Sequence, residues 1–332
     1  MSDYRVNMDI PRFQLDRRPG RSRLKLRCPK CGKERCLTPY VDVTTGQPVG
    51  DEFGRCDHER KCGYDNRPKG KDIGDRELWV SNNEARKDFK YPQNPDVINY
   101  IPMDDVLKTV YPDVRNVMFE FLSIYFNPEL VESIFRRYYV GTMDIWKWKG
   151  CPVFWQIGKD YICRTGKVME YYIKRGENCI PIDVKRVKEG ENEFPHVTFY
   201  HSLKGTDYLL RQCLFGEHLL NHFPENETVN VVESEKTAII CSINKPKKLF
   251  LATGGLQNLR PEVMGVLKGR KIIMHPDKGS AFDVWEDKVK KNLPYYNIKV
   301  SDYLQNNKEL EDGEDIADLI IKRAVYKNEG GY

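Results

Sequence analysis

Residues 229–240 read VNVVESEKTAII and decide the fold of this chain. A short apolar run of mostly β-branched residues ends at Glu233, and a helical pattern runs from about Glu235 to about Ser242. This order predicts a buried strand followed by a helix, with Glu233 at the carboxyl end of the strand. Ligands of open α/β sheets bind at the carboxyl ends of strands, so Glu233 is a candidate site residue.

The alternation of strand and helix continues to the end of the chain. Predicted strands are KLFLATGG, RKIIMHPD and YNIKVSD, and predicted helices are PEVMGVLKG, SAFDVWEDKVKKNL and EDIADLIIKRAVYK. Alternating units of this kind favour a parallel sheet with helices on both faces. We therefore predict an α/β domain over residues 223–332.

Two further strand ends carry residues suited to a phosphate or metal site. ATGG at residues 252–255 ends one strand with glycines that let a ligand approach backbone amides. HPDKG at residues 275–279 ends the next strand with Asp277. Carboxylates from adjacent strand ends can share Mg²⁺, which prefers oxygen ligands. The alternative is that Glu233 and Asp277 cap the helices that follow them.

This order of motifs resembles a Toprim domain, which bacterial primases, topoisomerases, recombination mediators and some nucleases share. VVESEKTAII resembles the Toprim glutamate motif, and ATGGLQ falls where primases have a second glycine turn. HPDKG falls where the family has Asp-x-Asp. The resemblance implies a Toprim-type parallel sheet in which Glu233 and Asp277 are catalytic and hold Mg²⁺. His275 replaces the first aspartate, which makes it a candidate ligand and Mn²⁺ a candidate ion.

Another position departs from the family pattern. Thr237 stands where primases carry a further acid, one helical turn after the glutamate. Asp315 and Asp318 are candidate catalytic residues that would supply the missing charge, and Asp302 is a weaker candidate. Each can equally be a solvated acid at the start of a helix. Lys236 is a candidate phosphate contact, with solvent exposure as the alternative.

A cysteine cluster near the N-terminus predicts a metal site. Cys28 and Cys31 form a C-x2-C turn, and Cys56 and Cys62 form a looser C-x5-C pair. Four thiolates complete a tetrahedral zinc site with no open position, so the predicted zinc is structural and holds a small ribbon together. Two rival ligands compete for one position, Cys36 and His58.

The first 35 residues are strongly basic. They hold eleven Lys/Arg and four Asp/Glu, while the whole chain has a net charge of +5. A basic arm suits contacts to nucleic-acid phosphates, and Arg23 and Arg27 are candidate contacts within it. The alternative is a solvated, partly disordered tail.

Residues 151–212 have a β pattern in which basic and aromatic residues alternate. We predict that this segment contacts nucleic acid or nucleotide through phosphates and base stacking. The basic candidates are Arg164, Lys167, Lys174 and Arg175, interleaved with Trp155, Tyr171 and Tyr172. An ordinary β-rich surface over an aromatic core is the alternative.

The motifs together give a predicted domain layout. Residues 1–66 form the basic arm and zinc ribbon, 67–96 a linker, 97–222 a helical segment followed by a β-rich primase-like subdomain, and 223–332 the Toprim domain. This layout resembles bacterial replicative primase. The whole run from about residue 25 to 325 also resembles primase-like zinc-ribbon Toprim proteins of bacterial mobile elements.

The resemblance implies a primase-like nucleotidyltransferase that acts on single-stranded DNA with nucleotide triphosphates, in the replication or transfer of a mobile element. Alternatives are a metal-dependent Toprim nuclease, a non-catalytic DNA-binding module, and a zinc-ribbon transcription or adaptor protein. A separate helicase or relaxase is a candidate partner. The first residues lack a secretory pattern, and no apolar run approaches 18 residues, so we expect a cytoplasmic protein without membrane contact.

Overall fold

The computed structural model describes residues 9–16, 24–58, 61–69, 79–81, 99–187, 196–204, 208 and 210–328. The chain divides into two compact units, Met1–Asp96 and Val97–Tyr332. The predicted division into four parts is finer than this and stays a prediction. Across the described residues, no helix is long and apolar enough to cross a membrane.

The first unit contains short antiparallel strands. They are β1 (Asp9–Pro11), β2 (Phe13–Leu15), β3 (Leu37–Asp42), β4 (Gly54–Cys56), β5 (Asp65–Asn66) and β6 (Trp79–Ser81). The order β2-β3-β4-β5 makes one sheet, and β1 pairs with β6. Strand β6 therefore lies inside the predicted linker, because β1 supplies a pairing partner there.

The described residues 24–28 lead into the first cysteine pair without forming a regular strand. Leu26 makes only an isolated bridge to Leu37, since the chain turns into the first cysteine pair directly afterwards. Residues 21–23 lie outside the described part of the chain. The buried cluster here consists of Cys28, Cys36, Leu37, Cys56 and Cys62. Metal ligation by the cysteines of this cluster would add to the stability of the ribbon.

The second unit begins with three helices in the segment predicted to be helical. They are α1 (Met103–Val110), α2 (Val117–Tyr125) and α3 (Pro128–Arg137). The Asn116 side chain caps α2 by accepting hydrogen bonds from the backbone of Met118 and Phe119. Asn127 caps α3 in the same way, and Pro128 fits its first turn because proline has no N–H to satisfy there.

An antiparallel layer follows. It contains β7 (Val140–Thr142), β8 (Pro152–Ile157), β9 (Cys163–Met169), β10 (Tyr171–Arg175), β11 (Pro181–Arg186), β12 (Val197–Phe199) and α4 (Tyr200–Lys204). The order β12-β9-β8-β7 makes a four-stranded sheet, and β10 and β11 form a hairpin. Every residue of β8 is buried, which explains its nearly unbroken apolar sequence. Residues 200–202 fall inside the segment with the predicted β pattern but belong instead to helix α4.

The C-terminal part is a four-stranded parallel sheet with helices, which confirms the predicted α/β architecture. Its elements are β13 (Val229–Val232), α5 (Glu235–Asn244), β14 (Leu249–Ala252), α6 (Pro261–Met264), β15 (Ile272–Met274), α7 (Ala281–Asn292), β16 (Ile298–Val300) and α8 (Ile316–Asn328). The strand order is β14-β13-β15-β16. Val231 is in register with Leu251 on one side and Met274 on the other. The carboxyl ends of β13, β14 and β15 therefore lie side by side.

Candidate functional site

The four predicted zinc ligands lie together. The Sγ atoms of Cys28, Cys31, Cys56 and Cys62 are all within 4.8 Å of one another. Cys28 Sγ lies 3.6 Å from Cys62 Sγ, and Cys31 Sγ lies 3.9 Å from Cys56 Sγ. Thiolates placed tetrahedrally about 2.3 Å from one zinc ion would be about 3.8 Å apart. The donor set therefore fits a structural zinc ion.

Local backbone geometry turns the cysteines toward one point. Gly32 has a φ of +68°, in the left-handed region that favours glycine, and its N–H donates to the Cys28 carbonyl at 2.9 Å. In the second pair, the Cys62 N–H donates to the His58 carbonyl at 2.8 Å, which closes the longer C-x5-C loop. Burial raises the pKa of the Cys62 thiol, so zinc binding there must displace a proton.

Glu233 lies at the carboxyl edge of the parallel sheet, beside the glycine turn. Its carbonyl accepts a hydrogen bond from the Gly254 N–H at 2.9 Å. Gly254 has a φ of +69°, and a Cβ at this position would lie 2.9 Å from Glu235 Oε1. The ATGG sequence therefore provides a turn that only glycine fits easily, directly next to Glu233.

Asp277 is buried in a loop that is held from both sides. Its carbonyl accepts from Gln305 Nε2 at 3.2 Å, and the same Gln305 side chain accepts from the Gly279 N–H at 2.9 Å. The Lys278 ammonium donates to the carbonyls of Asn307 and Leu310 at 2.8 and 2.7 Å. The HPDKG loop is thus fixed by the segment that follows β16.

The His275 ring bonds within the sheet. Its Nε2 lies 3.1 Å from Asn230 Oδ1 on β13, and its Nδ1 is buried without a partner among the described residues. Burial lowers the pKa of His275 to about 4, so the ring is neutral at pH 7. The structure therefore uses the histidine as an uncharged partner of Asn230. Its predicted role as a metal ligand stays a prediction.

Asp315 and Asp318 cap helix α8 reciprocally. Asp315 Oδ1 accepts from the Asp318 N–H at 3.0 Å, and Asp318 Oδ2 accepts from the Asp315 N–H at 3.0 Å. Asp315 Oδ2 also accepts from Thr237 Oγ1 at 2.5 Å, so a carboxylate contacts the position at which the family resemblance implies an acid. Asp318 Oδ1 accepts from Lys185 at 2.9 Å and lies 3.8 Å from the Lys236 ammonium. Both aspartates therefore lie at a helix start, but Asp318 is buried there and not solvated, and their predicted catalytic role stays a prediction.

Sequence reasoning missed a buried polar group beside the glycine turn. Lys167 Nζ lies 3.1 Å from Glu235 Oε2 and donates to the Gly254 carbonyl at 3.2 Å. The Glu235 side chain is 1% exposed and that of Lys167 is 14% exposed. Glu235 Oε1 and Gln156 Oε1 are buried without a partner in the described part of the chain. The only sequence signal for Glu235 is its place two residues after Glu233.

The other basic candidates are dispersed. Arg164 pairs with Asp160 in the turn between β8 and β9, and Lys236 is directed toward β11 and Asp318. The exposed Arg175 donates to the Cys179 carbonyl at 2.9 Å, and Lys174 is exposed on the same strand. In the first unit, Arg27 is exposed and donates to the Gly32 carbonyl at 3.0 Å. Arg23 lies outside the described residues. Among these candidates, Lys167 alone contacts the glycine turn in the contacts described.

The acidic candidates do not form a dense cluster. In the ranges that the structure describes, only two groups of three or more potential ligands lie within 4.8 Å, and both are built on the cysteines. Mg²⁺ at nucleotide sites commonly takes one or two carboxylates, with waters and substrate phosphates as its other ligands. Glu233 and Asp277, which follow adjacent strands, match that sparse donor set.

A cleft of about 480 Å³ lies elsewhere in the second unit. Its lining includes Pro246, which precedes β14, so this part of the cleft is at the opposite end of that strand from the glycine turn. Polar side chains of the lining form hydrogen bonds to backbone carbonyls. Arg137 donates to the Pro246 carbonyl at 2.9 Å, and His218 Nε2 lies 2.9 Å from the Arg137 carbonyl. The cleft is therefore separate from the candidate site.

Two family matches cover separate parts of the chain. Residues 11–75 match the zinc beta-ribbon finger family, and residues 116–278 match a domain family of unknown function, DUF6371. The first match contains all four cysteines, and the second contains Glu233 and Asp277 but ends before Asp315. Together with the four-cysteine cluster, the first match supports structural zinc, as predicted. No curated protein matches the chain in sequence.

Several solved primase structures are distantly similar. The primase fragment of the bacteriophage T7 primase-helicase protein aligns over 93% of this chain and 99% of its own, with 11% identity and a TM-score of 0.37. The DnaG primase catalytic domain bound to ssDNA aligns over 68% and 75%, with 13% identity and a TM-score of 0.39. The DnaG catalytic core aligns over 68% and 74%, with 14% identity and a TM-score of 0.39. At these scores the likenesses carry no argument about the site.

Proposed function

We propose that the chain is a primase-like nucleotidyltransferase of Toprim type that acts on single-stranded DNA. One observation carries the proposal: Glu233 and Asp277 follow adjacent parallel strands, beside a glycine turn that Lys167 contacts. A carboxylate pair that can hold a metal ion and a lysine that can meet a phosphate are groups that a metal-bound triphosphate requires. The zinc-ribbon match adds a second element that suits a protein acting on nucleic acid.

Each group has a defined task in this proposal. Glu233 and Asp277 are the residues that would hold Mg²⁺ or Mn²⁺. When bound, the ion lowers the pKa of the attacking 3′-hydroxyl and neutralises charge on the transferred phosphate. Lys167 is held at the turn by Glu235, so it can meet a phosphate oxygen without reorganisation. The turn itself is fixed by its own amides, because the Gly254 N–H donates to the Glu233 carbonyl at 2.9 Å and the Gly255 N–H donates to Thr253 Oγ1 at 3.4 Å.

The role of Asp315 and Asp318 in this proposal is to position helices. Their oxygens accept hydrogen bonds from helix α8, Thr237 and Lys185, so ligation would have to break those bonds. His275 is neutral and bonded to Asn230, so the site carries less negative charge than an Asp-x-Asp site. Lower charge weakens Mg²⁺ binding, which is why Mn²⁺ is included as a candidate ion.

The test is oligonucleotide synthesis on single-stranded DNA with nucleotide triphosphates and Mg²⁺ or Mn²⁺. Wild type is compared with Glu233→Gln, Asp277→Asn and a matched control, Glu262→Gln, an exposed acid on α6. We expect product from wild type and the control, with at least a 100-fold loss in both site variants. Product that is unaffected by Glu233→Gln would refute the proposal.

The same gel separates the alternatives. Template cleavage that requires Glu233 would favour the nuclease. DNA binding with neither activity would favour a non-catalytic module. The proposal also includes a role in mobile-element replication or transfer with a separate helicase or relaxase, which rests on the sequence resemblance alone. Loss of element replication when the gene is deleted would support that role, and unaffected replication would contradict it.

A further inference from the structure

The cysteine cluster contains a second complete set of zinc ligands. Cys31, Cys36, Cys56 and His58 also place one ligand atom each within 4.8 Å of the others. This set shares Cys31 and Cys56 with the four-cysteine set. Cys36 is buried and His58 is half-buried, so both lie within the ribbon.

The distances in the second set match a tetrahedral site. Cys36 Sγ lies 3.8 Å from Cys56 Sγ, and His58 Nδ1 lies 3.5 Å from Cys56 Sγ. Tetrahedral zinc with bonds of about 2.3 Å to sulfur and 2.0–2.1 Å to nitrogen requires about 3.8 Å between two sulfurs and about 3.6 Å between sulfur and nitrogen. These two edges and the 3.9 Å edge between Cys31 Sγ and Cys56 Sγ therefore fit a tetrahedral zinc ion.

The two sets cannot be filled at once without rearrangement. They share the edge between Cys31 Sγ and Cys56 Sγ, which is 3.9 Å long. With zinc about 2.3 Å from both sulfurs, each ion lies about 1.2 Å from the middle of that edge, so two ions would be at most about 2.4 Å apart. Two divalent cations repel too strongly at that separation, so the geometry allows one ion in either set.

We infer that one Zn²⁺ ion alternates between two overlapping ligand sets, Cys28–Cys31–Cys56–Cys62 and Cys31–Cys36–Cys56–His58. Passage between them moves the ion by no more than about 2.4 Å and keeps two thiolates bound throughout. Cys36 now donates to the Lys33 carbonyl at 3.1 Å. Passage to the second set breaks the zinc bonds to Cys28 and Cys62, whose thiolates each take up a proton from solvent. It forms bonds to neutral His58 Nδ1 and to Cys36 Sγ, which loses its proton to solvent together with its hydrogen bond to Lys33.

The inference predicts that the cysteines are unequal. Cys28 and Cys62 belong to one set, whereas Cys31 and Cys56 belong to both. The decisive comparison is between two double variants, Cys28→Ser/Cys62→Ser and Cys31→Ser/Cys56→Ser. Each removes two thiols, so the number of lost ligands is matched. Cys179→Ser, which removes an exposed thiol of the second unit, is the control for handling.

The measurement is zinc per full-length chain by elemental analysis after gel filtration. We expect about one ion in wild type, Cys179→Ser and Cys28→Ser/Cys62→Ser, and under about 0.1 in Cys31→Ser/Cys56→Ser. Equal loss of zinc from both double variants would overturn the inference. It would mean that Cys36 and His58 do not bind zinc, so that Cys28→Ser/Cys62→Ser keeps only two ligands. Two ions per wild-type chain would overturn it as well.

A third double variant keeps the four-cysteine set intact, so its result does not depend on whether the ribbon folds without those ligands. Cys36→Ser/His58→Ala removes only the alternative ligands. We expect it to hold one zinc ion and to release that ion to a coloured chelator several-fold more slowly than wild type. The slower release follows because stepwise ligand exchange is blocked. An unchanged release rate would contradict the inference.

Discussion

The pair formed by Lys167 and Glu235 gives the sharpest prediction about stability. The two charges are 3.1 Å apart, and Glu235 is almost fully buried. At an effective dielectric constant of about 20, their attraction is about 5 kcal/mol. Removing one partner of a buried pair leaves the other charge unpaired and costs about 3–5 kcal/mol. We therefore expect Lys167→Met to destabilise the second unit by about 4 kcal/mol.

Thermal and urea unfolding of the full chain measure this loss. In a unit of about this size, 1 kcal/mol corresponds to about 2–4 °C, so the melting temperature should fall by roughly 10 °C. Lys174→Met is the matched control, because it removes an exposed lysine from the next strand and should cost under about 0.5 kcal/mol. Adding Glu235→Gln to Lys167→Met should cost less than the sum of the single changes. A Lys167→Met protein within about 1 kcal/mol of wild type would refute the reasoning.

Three further predictions concern the same unit. Gly254→Ala should lower the free energy of unfolding by about 2 kcal/mol more than Gly269→Ala does, as measured by urea unfolding. Both glycines have a positive φ, but only a Cβ at position 254 would meet a side chain. Asp318→Ala should cost about 2 kcal/mol in the same assay, because a helix cap and a lysine partner are lost. Burial lowers the pKa of His218 below its value of about 6.5 in the unfolded chain. As the pH drops below about 6.5, the unfolded chain therefore binds more protons than the folded one, and the free energy of unfolding falls by at most about 1.4 kcal/mol per pH unit. His218→Gln should make this fall shallower between pH 7 and 5, with the part that His275 contributes remaining, and His222→Gln, which alters an exposed histidine, should not.

The regular part of the fold could be predicted from the sequence. Strands β13, β14, β15 and β16 fall inside the predicted apolar runs, and helices α5 and α8 start near their predicted first residues. Short β-branched runs and helical periodicity are local signals, so they can be recognised without knowledge of the tertiary structure. The C-x2-C turn is local in the same sense. The C-x5-C pair is a weaker signal, because its spacing is looser and Cys36 and His58 are rival ligands for one position.

The contacts that define the site could not be predicted. Lys167 and Glu235 are 68 positions apart, and no periodicity connects a lysine in one sheet with an acid in another layer. The same limit applies to His275, whose partner Asn230 lies on the neighbouring strand. Asp315 and Asp318 were ambiguous for a different reason. An acid at a helix start serves equally as a cap or as a ligand, and only the hydrogen bonds separate the two.

Manganese binding in the presence of nucleotide tests the central claim most directly. The claim is that Glu233 and Asp277 hold a metal ion together with a triphosphate. Free Mn²⁺ can be counted by electron paramagnetic resonance as protein is added at a fixed concentration of nucleotide triphosphate. We predict at least tenfold weaker binding in Glu233→Gln and Asp277→Asn than in wild type and Glu262→Gln. Equal binding by Glu233→Gln and wild type would contradict the claim.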